Sequence, residues 1–137
     1  MTRRVATGTT TERYPAGDVR IPLISNAGTS VGNIVLRPSG ALRLRHASTT
    51  IGSESTPLSV GRVYRVGVHQ KRGAGGNAVL EGYLVEGDAP FGTPFAATVS
   101  GTWMSPADRL RIESTSSTGL NATIDDIRID TASMPAP

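Results

Sequence analysis

Apolar and polar residues alternate along most of this chain with a period of two, and no stretch carries the period of a helix. In residues 41–46, Leu42 and Leu44 fall on one side while Arg43 and Arg45 fall on the other. Such alternation describes a strand with one face against a core and one in water. Residues 61–87 carry the strongest hairpin signal. Tyr64, Val66 and Val68 share a face opposite Arg65 and His69, and a turn holding Gly73, Gly75 and Gly76 separates them from a second apolar run. Glycine supplies the positive φ that a tight reversal needs. In that second run Val79, Tyr83 and Val85 face one way and Leu80 and Leu84 the other, which predicts a central strand covered on both sides.

The same reading extends over the rest of the chain. Val19, Ile21 and Leu23 mark a strand in which Pro22, lacking an N–H, predicts an edge or a bulge. Asn26, Ala27 and Gly28 form a turn, Ile34 and Leu36 a further strand, and Pro38 to Gly40 its end. Residues 49–59 read as a polar loop anchored by Ile51 and Leu58. Phe95, Ala97 and Val99 mark another strand, and Leu110 and Ile112 one more, opposite Arg109, Arg111 and Glu113. Trp103, in the connection over residues 101–106, is expected to anchor a corner of the fold. Residues 121–130 form the last strand. The apolar side changes across Asp125 and Asp126 there, which predicts a bulge with one of the two carboxylates structural and partly buried. A calcium site at Asp125 and Asp126 is the functional alternative.

About nine short strands at turn-spaced intervals imply an all-β protein, an antiparallel β-sandwich or jelly roll. Residues 1–17 hold little apolar material and are expected to be a flexible N-terminal arm, either frayed or ordered against a neighbouring subunit. The domain proper is expected over residues 18–131, with a C-terminal tail over 132–137.

Composition narrows the chemistry. The chain has 137 residues, enough for one domain with a core, and no cysteine, so disulfides and thiolate metal sites are excluded. No apolar run approaches the ~20 residues that span a bilayer, and no hydrophobic signal segment precedes the first strand. The formal charge is +3, and 13 of the 14 basic residues are arginine. Arginine bias follows from a GC-rich genome; it also suits a surface that grips carboxylates or phosphates with a planar fork. Arg43 and Arg45 form a candidate basic stripe with Arg37 or Arg65, and Arg3, Arg4 and Arg13 load the arm. His46 and His69 have neither a nucleophile partner nor metal-ligand spacing, and read as surface histidines on strands. Gly73 to Gly76 precede no helix and so form no phosphate loop. Asn121 to Thr123 match a glycosylation acceptor by chance, and the basic residues are not interleaved with aromatics as on a base-stacking surface.

Three stretches, residues 33–44, 57–68 (with Tyr64) and 124–130, together resemble the concanavalin A-like lectin/glucanase (laminin G-like) jelly rolls of tailed-bacteriophage and bacterial proteins. The resemblance runs from about Asp18 to Thr131. A galactose-binding-like jelly roll, which also closes on an Asp-Asp strand, is the runner-up. Relatives of the first kind carry more sequence ahead of the first strand, so the resemblance implies a sheet short of an edge strand. The paired carboxylates of the glucanases are absent, since Glu81 and Glu86 stand five apart and on opposite faces of a strand. What the resemblance implies is a non-enzymatic structural virion protein, decorating a phage capsid or tail and assembled in the bacterial host cytoplasm. It would need no cofactor, and its partners would be capsid or tail proteins in a homo-oligomeric or multi-copy assembly. A carbohydrate-binding module is the alternative, and nucleic acid and membrane are not expected partners. The residues expected to meet a partner are Arg3, Arg4, Arg13, Arg43 and Arg45; those expected to hold the fold are Asp125, Asp126, Trp103 and Tyr64.

Overall fold

The computed structural model describes residues 2–7, 14–71, 73–74, 77–98, 102–103, 109–114 and 122–128. Among them the chain is an all-β sandwich of antiparallel strands with no helix. One five-stranded sheet runs, in spatial order, β12 (Ala122–Arg128), β1 (Thr2–Thr7), β6 (Val63–Lys71), β8 (Val79–Glu86) and β9 (Ala96–Ala97). The other runs β11 (Arg109–Ser114), β2 (Val19–Asn26), β3 (Thr29–Leu36), β4 (Leu42–His46) and β5 (Thr49–Ile51). A separate ladder of two residues per strand joins β7 (Gly73–Ala74) to β10 (Thr102–Trp103). The described residues therefore hold twelve strands rather than about nine. The surplus comes from β1 and from strands of two or three residues, too short to show any alternation.

The hairpin of β6 and β8 is built as its sequence predicts, with Lys71 opposite Val79 and Tyr64 opposite Glu86. The Gly87 N–H donates to Val63 O and closes its open end. Pro22 sits at a bulge rather than an edge. The register of β2 slips between Arg20 and Leu23, and β2 has a partner on each side. At the turn from β2 to β3, Ala27 and Gly28 both take positive φ, 45° and 85°, the geometry of a two-residue hairpin loop that matches strand twist.

The core lies between the two sheets. Ile34, Leu36, Leu42 and Leu44 face inward from one, and Val66, Val68 and Leu80 from the other, all buried. Leu58, within the loop over residues 52–62, is buried among them, and Ile51 packs against them. Tyr64 is 6% exposed, and its hydroxyl accepts a 2.7 Å bond from the Ser59 N–H, so it is held by both packing and a hydrogen bond. Each such aliphatic side chain contributes about 1.5–3 kcal/mol by leaving water.

The arm expected over residues 1–17 is largely not an arm. Thr2–Thr7 is β1, hydrogen-bonded on one side to β6 and on the other to β12. A strand between two others satisfies its backbone on both edges, and that gain does not depend on an apolar sequence. Tyr14 is fixed as well: its hydroxyl donates to Leu58 O, and its ring lies over Gly40. Residues 8–13 and 132–137 lie outside the described residues.

Two expectations follow. A side chain at Gly40 meets both a φ of +83° and the Tyr14 ring, 2.5 Å from where its Cβ would stand, whereas Gly28 has a φ of +85° and open space. Gly40→Ala should therefore cost more than Gly28→Ala in urea unfolding: about 2–4 kcal/mol, against about 1–2 kcal/mol for the backbone alone. Deleting residues 2–7 should lower the melting temperature steeply, on the order of several kcal/mol of stability, because β6 and β12 both lose a ladder. An unchanged melting curve would mean that β1 is not part of the folded sheet.

Candidate functional site

The two outer faces of the sandwich carry the polar chemistry, and they differ. On the β11–β5 sheet, inward-facing Leu42 and Leu44 leave Arg43 and Arg45 outward, as their alternation requires. The register aligns Glu113, Arg20, Val35 and Arg43 in one row across four strands, and Arg111, Leu23, Asn33 and Arg45 in the next. Val35 is fully buried although it sits on this outer face. Its row neighbours are Arg20 and Arg43, and arginine stems cover an apolar neighbour while their heads stay wet.

Carboxylates hold these guanidinium groups in place. Glu54 Oε1 accepts from Arg37 Nη1 at 2.7 Å and from Arg43 Nε at 3.0 Å, with a further bond from Arg43 Nη2. Asp18 stands between Arg37 and Arg45, at 3.9 and 3.6 Å. Glu113 accepts from Arg20. Arg45 also donates to Ser48 O, from Nη2 at 3.0 Å. Glu54 comes from a loop, and Ser55 explains why it arrives at the right place. The Ser55 N–H donates to Leu42 O, and Ser55 Oγ accepts from the Leu42 N–H, both at 2.9 Å, so the loop is pinned alongside β4. The bonds from Arg37 and Arg43 hold the Glu54 carboxyl below its ordinary value of 4.5.

Across this face six arginines (Arg20, Arg37, Arg43, Arg45, Arg109 and Arg111) stand against the carboxylates of Asp18, Glu54 and Glu113. Among the described residues the face thus has an excess of positive charge. Arg109 and Arg111 are exposed. Three buried polar atoms, Ser25 Oγ, Asn33 Oδ1 and Arg37 Nε, make no hydrogen bond within the described chain. Such atoms ordinarily hold ordered water.

The opposite outer face is more enclosed. Arg65, expected on the wet side of β6, does face outward there but is only 4% exposed, because the loop over residues 87–95 lies on it. Its Nη1 donates to Ala89 O at 2.6 Å, and its guanidinium stands 4.6 Å above the Phe91 ring. Arg65 is therefore not part of the basic stripe; Arg37 is. Phe91 also packs on Tyr83, 5.6 Å between ring centroids. Tyr83 donates to Glu81 Oε2 at 2.8 Å, and His69 Nδ1 lies 2.9 Å from the same oxygen. Burial, and then the bond to the Glu81 carboxylate, push the Tyr83 phenol up to about 12. His46, on β4, is lowered from its ordinary 6.5 by burial.

The remaining sequence candidates fall elsewhere. In the register Arg4 lies between Arg65 and Asp125, and Arg3 opposite Val66, so neither belongs to the face that carries Arg43 and Arg45. Trp103 lies opposite Gly73. Asp125 and Asp126 lie in β12. The side chains of Arg3, Arg4, Trp103, Asp125 and Asp126, and all of Arg13, lie outside the described residues, and with them the calcium alternative. Among the described side chains no group of three acidic or histidine residues is placed to hold a metal ion. Sequence reasoning missed Asp18, Glu54 and Glu113 as partners of the stripe, since each reaches it only through strand pairing or a pinned loop. Comparison with protein-family models, with curated proteins and with solved structures finds no match for this chain.

The Glu54 contacts set a pH dependence. A carboxylate held below its ordinary value contributes stability that is fully present above about pH 4.5 and is lost as pH falls through its lowered folded value. Glu54→Gln should therefore flatten part of the acid limb of a stability-against-pH curve and leave the neutral plateau less stable. A Glu54 carboxyl titrating by NMR at or above 4.5 would contradict the arrangement.

Proposed function

We propose that this chain is a non-enzymatic structural virion protein, a decoration protein of a tailed-bacteriophage capsid or tail that docks in multiple copies on acidic protein surface. The observation that carries this reading is the outer sheet face with six arginines against three carboxylates. Such a face is a flat array of pre-oriented forks, suited to recognising carboxylates on a second protein. The phage setting rests on the resemblance of residues 33–44, 57–68 and 124–130 to lectin-like jelly rolls. The carbohydrate-binding alternative calls for a ring open to a sugar face. None of the described aromatic side chains, Tyr14, Tyr64, Tyr83, Phe91 and Phe95, is exposed.

Quantitative mass spectrometry of purified particles tests the reading. The chain is expected at a fixed ratio to a capsid or tail protein at low salt, and to be released progressively as salt screens the arginine contacts. Its absence from particles at low salt, or its recovery on a polysaccharide matrix instead, would overturn the proposal.

A further inference from the structure

On the arginine face, four of the six guanidinium groups are already engaged. Arg20, Arg37, Arg43 and Arg45 each have a carboxylate of this chain beside them. Arg109 and Arg111 form no ion pair with a described residue, and both are exposed. They project to the same side of β11, two residues apart, and so repeat at about 6.7 Å along the strand. Among the described residues β11 pairs only with β2, which places it at the edge of its sheet. Ile112, between Arg111 and Glu113, is 38% exposed at this edge.

Resting on the docking role proposed above, we infer that β11 is the docking element, and that its occupant is an acidic protein segment in extended conformation with carboxylates at alternate positions. An extended chain places alternate side chains on one face at the same repeat of about 6.7 Å, so two carboxylates meet Arg109 and Arg111 together. Edge strands are commonly guarded by charge, which prevents indiscriminate pairing. Arginines in that position admit a strand of opposite charge and reject a neutral or basic one. A nucleic acid fits less well. Its backbone carries a charge at every residue, so a strand following the two arginines along β11 runs directly onto Glu113. A protein segment needs acidic residues only where the arginines stand.

Fluorescence anisotropy with a labelled threonine-rich peptide carrying just two glutamates, at positions i and i+2, tests the inference, with an oligothymidylate of equal charge as competitor. Arg109→Glu with Arg111→Glu is compared with Arg62→Glu with Lys71→Glu, which alters net charge equally at exposed positions away from β11. The wild-type chain should bind the peptide at low salt. The β11 variant should lose at least tenfold in affinity and the control no more than about twofold from its changed net charge, with thermal melts showing both variants folded. Equal loss in the control makes the effect one of net charge alone and overturns the inference; so does tighter binding of the oligonucleotide, or no peptide binding at low salt. The particle measurement keeps the two readings apart. If the wild-type chain is found in particles and the β11 variant is retained equally well, the docking element is wrong and the virion role stands. If the chain is absent from particles but peptide binding still depends on Arg109 and Arg111, the virion role falls and the acidic-segment site stands.

Discussion

The contact between two aliphatic sheet faces sets the terms for the rest of this protein. Ile34, Leu36, Leu42 and Leu44 meet Val66, Val68 and Leu80 across the sandwich, and with only 4% of the chain aromatic the contact is mainly aliphatic, joined by Tyr64 and Phe95. The layers come close enough that a Cβ on Gly32 would stand 2.8 Å from a Leu80 methyl group. Once every inward position is committed to close packing, polar groups have only the outer faces, the edges and the loops. The arginine face is therefore a consequence of the core's alternation as much as an addition to it.

A second constraint works through the backbone. β6 and β12 belong to one sheet because β1 lies between them, and β1 is drawn from the first residues of the chain. Its sequence, with two arginines and two threonines among six residues, offers little burial. Main-chain hydrogen bonding is indifferent to side-chain polarity, so a polar segment can complete a sheet whose apolar content lies elsewhere. The folded domain thereby includes a segment that hydrophobicity alone assigns to an arm.

The two outer faces show how similar residues acquire different roles. Arg65 and Arg43 both stand outward on strands, yet one is roofed over by a loop and held against Phe91, while the other shares a surface carboxylate with Arg37. Among the described side chains of the enclosed face, Glu81 serves both His69 and Tyr83, and Arg65 is held by Ala89 O and Phe91, so these groups are internally satisfied. The open face is only partly so. Its engaged arginines are ordered by their own carboxylates, which lowers the entropy lost when a partner binds alongside them.

What the sequence by itself determined is whatever depends on neighbours along the chain. Period-two alternation at Leu42 to His46 and in the β6–β8 hairpin identified strands, and Pro22 marked an edge or a bulge, between which strand pairing decided. The turn at Ala27 and Gly28 was equally local. All of these follow from backbone geometry within a few residues. What only the tertiary structure decided is what depends on pairing between distant segments. That Thr2–Thr7 enters a sheet, that Glu54 meets Arg37 and Arg43, that Arg65 is buried under residues 87–95, and that Arg109 and Arg111 stand at an edge are all matters of register and strand order. Strand pairing is specified by the summed fit of whole faces and ladders, and no short stretch of residues contains that sum.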